Sequence, residues 1–205
     1  MSQKVLVVGF DAGVVKMYKE EGWEVTTDPL QTDIDLVQFT GGEDVDPSYY
    51  EETRHPATRS NPVRDAREAG IYYSFVGQTP LAGICRGAQF LNVMNGGKLW
   101  QHVTKHANGP HLAYDEGSGE VLMVTSTHHQ MIIPTDAAVL LLTAGLRGTK
   151  QSADYEELGD LREDVEAVYY PGTESLCYQP HPEYVTIDHP CRRKFFDYVE
   201  NLLSL

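Results

Sequence analysis

The stretch TPLAGICRGAQFLNVMNGG, residues 79–97, runs an apolar segment, 79–85, directly into a segment of helical spacing, 86–97, with one cysteine at the joint. A buried strand that feeds a helix with no polar turn between them is half of a βαβ unit. Cys85 at that joint stands between Gly83 and Gly87. This is the pattern of a nucleophile elbow, where a tight strand-to-helix turn holds the nucleophile above the sheet. Glycines flank it because side chains there would strike neighbouring backbone. A helix N-terminus also favours a thiolate through its free N–H groups and local dipole. The competing reading is an inert buried cysteine between two packing glycines.

Outward from this joint the same rhythm continues. KVLVVGF (4–10), WEVTT (23–27) and IDLVQFT (34–40) read as strands. GVVKMYKEEG (13–22), stopped by glycine, and PVRDAREAGIYYSF (62–75), opened by proline, read as helices. Between 98 and 144, KLWQHV, HLAYDE, EVLMVTST and AVLLLTA are strand-like pieces separated by polar turns, expected as antiparallel additions. The acidic stretch 149–166 reads as a surface loop. AVYYP and SLCYQP supply two last strands, and CRRKFFDYVENLL (191–203) a closing amphipathic helix. The expectation is one α/β domain over residues 1–205.

Charge and composition exclude several function classes. Thirty Asp and Glu against 16 Lys and Arg give a net charge of −14 with no basic cluster, which disfavours nucleic acid and anionic membrane as partners. No apolar run approaches the roughly 18–20 residues of a membrane span, and Asp11 comes too early for a secretory signal, so a cytoplasmic protein is expected. Cys85, Cys177 and Cys191 have no CxxC spacing, so neither a disulfide framework nor a thiolate zinc site is indicated. There is no G-x-x-x-x-G-K-[ST] loop for a nucleotide, and no cofactor is expected.

A reactive thiol needs a base, and QPHPEY (179–184) offers one. His181, between two prolines, would accept the thiol proton, and Glu183 would orient its ring and stabilise the imidazolium. A lone His-Pro-Glu also reads as a surface turn. The loop FTGGEDVDP (39–47) leaves backbone N–H groups free to face an oxyanion, with the Arg86 N–H as second donor. A tight turn, or a weak cation site at Asp44 and Asp46, is the alternative. His102, His106 and His111 raise a zinc reading. However, i, i+4 spacing converges only on a helix, and a strand-and-loop segment leaves no metal expected there. His128 and His129 read better as pocket residues.

TGGEDVDP, GICRGAQFLNVMNGGKLWQHV, STHHQM and QPHPE, in this order and spacing, resemble the class I glutamine amidotransferase superfamily. Within it they most resemble the branch containing the gamma-glutamyl-gamma-aminobutyrate hydrolases. The resemblance implies a flavodoxin-like three-layer α/β/α sandwich, with a mostly parallel central sheet carrying antiparallel additions. It implies a triad of Cys85, His181 and Glu183, with oxyanion N–H groups from Gly42 and Arg86. It also implies glutamyl contacts from Gln89 and from the segment of His129 and Gln130. The reaction implied is hydrolysis of a γ-glutamyl amide through a γ-glutamyl thioester. With ammonia as leaving group, the chain is a glutaminase serving a separate synthetase subunit; with a larger amine, a free-standing γ-glutamyl hydrolase. A catalytically silent scaffold of the same fold is the remaining alternative.

Overall fold

The computed structural model describes residues 2–158, 163–203 and 205. The strands are β1 (Lys4–Val8), β2 (Glu24–Thr26), β3 (Leu36–Phe39), β4 (Leu81–Ile84), β5 (Lys98–Trp100), β6 (His102–Val103), β7 (His111–Asp115), β8 (Val121–Val124), β9 (Met131–Ile133), β10 (Val139–Ala144), β11 (Thr149–Gln151), β12 (Glu156–Leu158), β13 (Asp164–Tyr170) and β14 (Ser175–Tyr178). The α-helices are α1 (Ala12–Glu20), α2 (Pro62–Phe75), α3 (Arg86–Met94) and α4 (Pro190–Leu202).

Nine strands form one sheet in the order β2-β1-β3-β4-β14-β13-β10-β7-β8. The first five run parallel. From β14 onward each junction is antiparallel. Two small sheets, β12-β11-β6 and β5-β9, lie beside it. This is the α/β sandwich expected from the sequence, with its antiparallel extension.

The alternation of side chains along a strand divides the core into two layers. Val5 and Val7 of β1 belong to the apolar cluster that includes Val14, Met17 and Tyr18 of α1 and Phe195 and Val199 of α4. Leu6 and Val8 belong to the opposite cluster, with Ala69 and Tyr72 of α2 and Ala88, Phe90 and Leu91 of α3. Strands sandwiched in this way read as continuous apolar runs. Gln38, fully buried on the α1 side of β3, is tolerated because the Tyr18 hydroxyl donates to its Oε1 at 2.7 Å.

Local chemistry sets the helix starts. Asp11 caps α1 by accepting from the Gly13 and Val14 N–H groups, and Asn61 caps α2 ahead of Pro62. The acidic stretch departs from its expectation as a loop. Residues 149–151 and 156–158 pair as the β11–β12 hairpin, β11 also pairs with β6, and residues 164–166 open β13. Residues 159–162 of that stretch lie outside the described residues. None of the described helices is long and apolar enough to cross a membrane.

Candidate active site

Parallel neighbours end at the same edge of a sheet, and the groups that follow them meet there. The loop after β3, Cys85 after β4 and His181 after β14 occupy this edge.

Cys85 sits at φ 52°, ψ −110° as the N-cap of α3, and its side chain caps nothing. This is a strained backbone for a non-glycine residue, as an elbow requires. The flanking glycines have a direct steric cause. A Cβ on Gly83 would lie 2.3 Å from the Gly87 carbonyl oxygen, and one on Gly87 would lie 2.3 Å from the Phe39 carbonyl oxygen. Two backbones thus approach α3 too closely for any side chain. The Cys85 N–H donates to the Tyr178 carbonyl at 3.0 Å, which ties the elbow to β14.

His181 follows β14 and is almost fully buried. Its Nδ1 lies 2.6 Å from Glu183 Oε1, which leaves Nε2 as the outward nitrogen. The Tyr184 ring stacks on the imidazole at 4.3 Å, and the Thr125 hydroxyl accepts from the His181 N–H at 2.7 Å. Burial disfavours charge on this ring, but hydrogen bonds to Cys85 and Glu183 outweigh it and raise the His181 pKa to about 10. The protonated form of this ring is therefore strongly held. A Cβ on Gly41 would lie 3.2 Å from His181 Cε1 and 3.8 Å from Cys85 Cβ, so the 41–42 loop borders both.

That loop is held from behind by Arg64 of α2. Arg64 Nη2 donates to the carbonyls of Thr40 and Gly41, at 3.2 and 2.9 Å, and its Nε donates to Glu68 at 2.7 Å. In a trans peptide the N–H points opposite to the C=O. With the Gly41 carbonyl turned to Arg64, the Gly42 N–H faces the other way. Gly42 lies at φ 143°, and a Cβ there would collide with Arg64 Nη1. The Arg86 side chain plays no part at the surface of the site. It is buried between α2 and α3, paired with Asp65 and Glu68 and placed over the Phe90 ring at 4.9 Å. Only its N–H, in the first turn of α3, remains as an orphan helix donor.

A cavity of about 160 Å³ opens at this point, lined by Gly42, Cys85, Arg86, Gln89, His129 and Gln130 among others. All of the expected oxyanion and substrate residues thus share one cavity with the cysteine. Within it, Gln89 Nε2 donates to the Gln130 carbonyl and to Gln179 Oε1, both at 3.1 Å. The Gln130 side chain turns away, donating to Thr58 and to the Gln101 carbonyl. The His129 carbonyl accepts from the Val103 N–H, and its ring pairs with Asp44 at 3.1 Å, a contact that raises its pKa. Asp44 is thereby a partner of His129, and it also accepts from the Arg59 N–H. Asp46 is engaged by Arg54, Ser60 and the Ser48 N–H.

Of the three histidines of the zinc reading, His102 parts from the other two. His102 stacks on His55, whereas His106 packs against His111 and His128. His106 and His111 instead meet Glu166, with ligand atoms within 4.8 Å of one another. The sequence reading missed Arg64 and Glu166. Arg64, with Asp65 and Glu68, forms a polar run on an otherwise ordinary helix, and nothing in that run announces a loop to be held.

Comparison with known proteins agrees with this architecture. Residues 11–145 match the Peptidase C26 family model, a span that contains Cys85 and stops before His181. The glutamine amidotransferase-like protein YvdE of Lactococcus lactis is 31% identical over 145 residues, which cover 60% of this chain and 61% of that protein. The match thus spans about three fifths of that relative's length. Among solved structures, a glutamine amidotransferase from Thermotoga maritima superposes with a TM-score of 0.61 at 16% identity, covering 100% of this chain and 85% of that one. A chain of PurLQS from Thermotoga maritima does so with a TM-score of 0.62 at 19% identity, covering 99% and 100%. These likenesses establish the fold, and the family match over most of the chain establishes descent: the protein belongs to the Peptidase C26 family, within the class I glutamine amidotransferase-like superfamily.

Proposed function

We propose that the chain hydrolyses a γ-glutamyl amide through a γ-glutamyl thioester, as a glutamine amidotransferase-type glutaminase that passes ammonia to a separate synthetase partner. The observation that carries this reading is the strained Cys85 elbow, which shares Gly41 as a neighbour with the Glu183-bonded His181 ring and opens on one small cavity. The glutamine amidotransferase-like relatives support glutamine as substrate, and the PurLQS likeness supports a partner.

The steps follow from the geometry. The Cys85 thiolate attacks the γ-carbonyl carbon, forming a C–S bond while the carbonyl electron pair moves onto oxygen. The N–H groups of Gly42 and Arg86 receive that oxyanion. Collapse expels the amine, which takes a proton from His181 Nε2. Water, deprotonated by the same nitrogen, then cleaves the thioester and releases glutamate. Glu183 acts through His181 by fixing the tautomer and stabilising the imidazolium.

The test is glutamate release from glutamine and from a panel of γ-glutamyl amines, with Cys85→Ala as control. Release from glutamine that the control abolishes supports the reading. Release from larger γ-glutamyl amines alone would replace the glutaminase with a free-standing hydrolase. No release from any substrate, or release unchanged in Cys85→Ala, overturns it. A diazoketone analogue of glutamine is expected to label Cys85 near neutral pH, more slowly when glutamine is present. Burial pushes the Cys177 thiol well up and also raises that of Cys191, so neither competes.

A further inference from the structure

Behind the cavity wall, three histidines converge on one carboxylate. Glu166 of β13 is fully buried, with exposures of 1% for His106, 8% for His111, 3% for His128 and 1% for Asp164 around it. His111 Nε2 lies 2.9 Å from Glu166 Oε1, His106 Nδ1 lies 3.2 Å from the same oxygen, and His128 Nε2 lies 3.7 Å from Oε2.

The outer hydrogen bonds fix two of these rings. His106 Nε2 lies 3.1 Å from Asp164 Oδ2, a carboxylate that can only accept, so this nitrogen carries a proton. His128 Nδ1 lies 2.8 Å from the Gln130 carbonyl and must carry one too. On the far sides of those rings, His106 Nδ1 and His128 Nε2 both face the Glu166 carboxylate. His106 Nδ1, His128 Nε2 and Glu166 Oε2 are buried without a hydrogen-bond partner. Polar atoms left unpartnered in a dry interior are unfavourable, and a cation held between the rings and the carboxylate would satisfy them.

We propose that His106, His111, His128 and Glu166 form a divalent metal site of the zinc class, with Asp164 as the outer carboxylate that orients His106. Nitrogen and oxygen ligands of this kind suit zinc rather than calcium or magnesium, which take oxygen. Metal–ligand distances near 2.0–2.1 Å place tetrahedral ligand atoms about 3.3 Å apart; the histidine-to-Glu166 separations are 2.9, 3.2 and 3.7 Å, and the ligand atoms of His106, His111 and Glu166 all lie within 4.8 Å of one another. A carboxylate–histidine–metal arrangement is the usual outer support of such a site. The metal would join β7, β13 and the segment 126–130, whose other side borders the cavity. The site shares no residue with the Cys85–His181–Glu183 group, so it stands or falls independently of the proposed reaction.

The experiment is metal analysis of the full chain purified from zinc-supplemented and from cobalt-supplemented medium. Expected are about one equivalent per chain and a cobalt spectrum of nitrogen and oxygen ligands, without the thiolate charge-transfer band that binding at Cys85 would give. His111→Gln should lower the metal content at least tenfold, and Asp164→Asn should weaken affinity roughly 10–100-fold in competition with a chelator. Zinc should raise the Tm of the wild type over its metal-free form and not that of His111→Gln. If His111→Gln fails to fold, Asp164→Asn and the wild-type cobalt spectrum decide alone. Absence of stoichiometric metal from both preparations overturns the proposal and leaves the cluster bridged by protons. A cobalt spectrum that carries the thiolate band and is lost in Cys85→Ser also overturns it, as does unchanged affinity in Asp164→Asn.

Discussion

The parallel half of the sheet and its antiparallel extension use polar groups in opposite ways. In the parallel half, β3, β4 and β14 all end at one edge, where the groups following them meet: Gly42 and Cys85 border a cavity, and His181 lies against the neighbouring Gly41. In the antiparallel extension, Glu166 lies within β13 and His111 opens β7, and their partners close over them inside the protein. A shared edge presents chemistry to a ligand, whereas strand interiors bury it and must satisfy it internally. The first arrangement should therefore fail in activity and the second in stability.

The largest expected effect tests the first half of that contrast. Cys85→Ala should lower glutamate release by more than about 10³-fold, since removing one member of such a unit costs nearly what removing the unit costs. Near pH 10 and above, where the His181 charge no longer contributes, its urea midpoint should barely change, because the thiol caps nothing in α3. Cys177, on the neighbouring strand and paired in register with Gly83, should behave inversely: Cys177→Ala retains turnover and loses about 1 kcal/mol from its fully buried site. A marked loss of stability in Cys85→Ala near pH 10 would break the comparison.

Glu166→Gln should cost about 3–5 kcal/mol in equilibrium unfolding, the scale for removing one partner of a buried charged group. A cost below about 1 kcal/mol, the scale of an exposed pair, would place the cluster with surface ion pairs instead.

The pH dependence of stability sharpens the active-site side. His181 is raised from 6.5 to about 10, so its contribution is complete below about pH 6.5 and is lost as pH rises toward 10. Wild-type Tm should fall across that window, by an amount on the order of a few kcal/mol in stability. Cys85→Ala removes a hydrogen bond that raises the pKa, so the fall should be shallower. Parallel Tm curves for the two proteins would show that Cys85 does not hold the His181 charge.

Two glycines close the series. Gly87→Ala sets a methyl group against the Phe39 carbonyl, at 2.3 Å, and should cost about 1–3 kcal/mol. Gly70→Ala, within α2 with nothing inside 4 Å of the added Cβ, should gain about 0.5–1 kcal/mol. Comparable destabilisation by both would mean that the elbow's glycines have no special steric role.

What could be read beforehand follows the range of the forces involved. The helix over 62–75 agrees in both bounds with Pro62–Phe75, because Asn61 caps it and Pro62 opens it within one turn of chain. The elbow was legible for the same reason: a strand, a cysteine and two glycines within five residues allow few backbone paths. The acidic stretch 149–166 was not. Its polarity favours solvent, yet β11 pairs with β6 from nearly fifty residues earlier, and Asp164 and Glu166 turn inward.

The sequence by itself determined the βαβ order and the joint at Cys85, since local hydrophobic spacing and turn chemistry dictate them, and its motif resemblance singled out His181 and Glu183. Only the tertiary structure decided that Arg64 holds the carbonyls of Thr40 and Gly41, that the Arg86 side chain is a buried strut, and that Glu166 is enclosed by His106, His111 and His128. The physical reason is that a polar side chain enters a core only when partners meet it there, and these partners are far away along the chain.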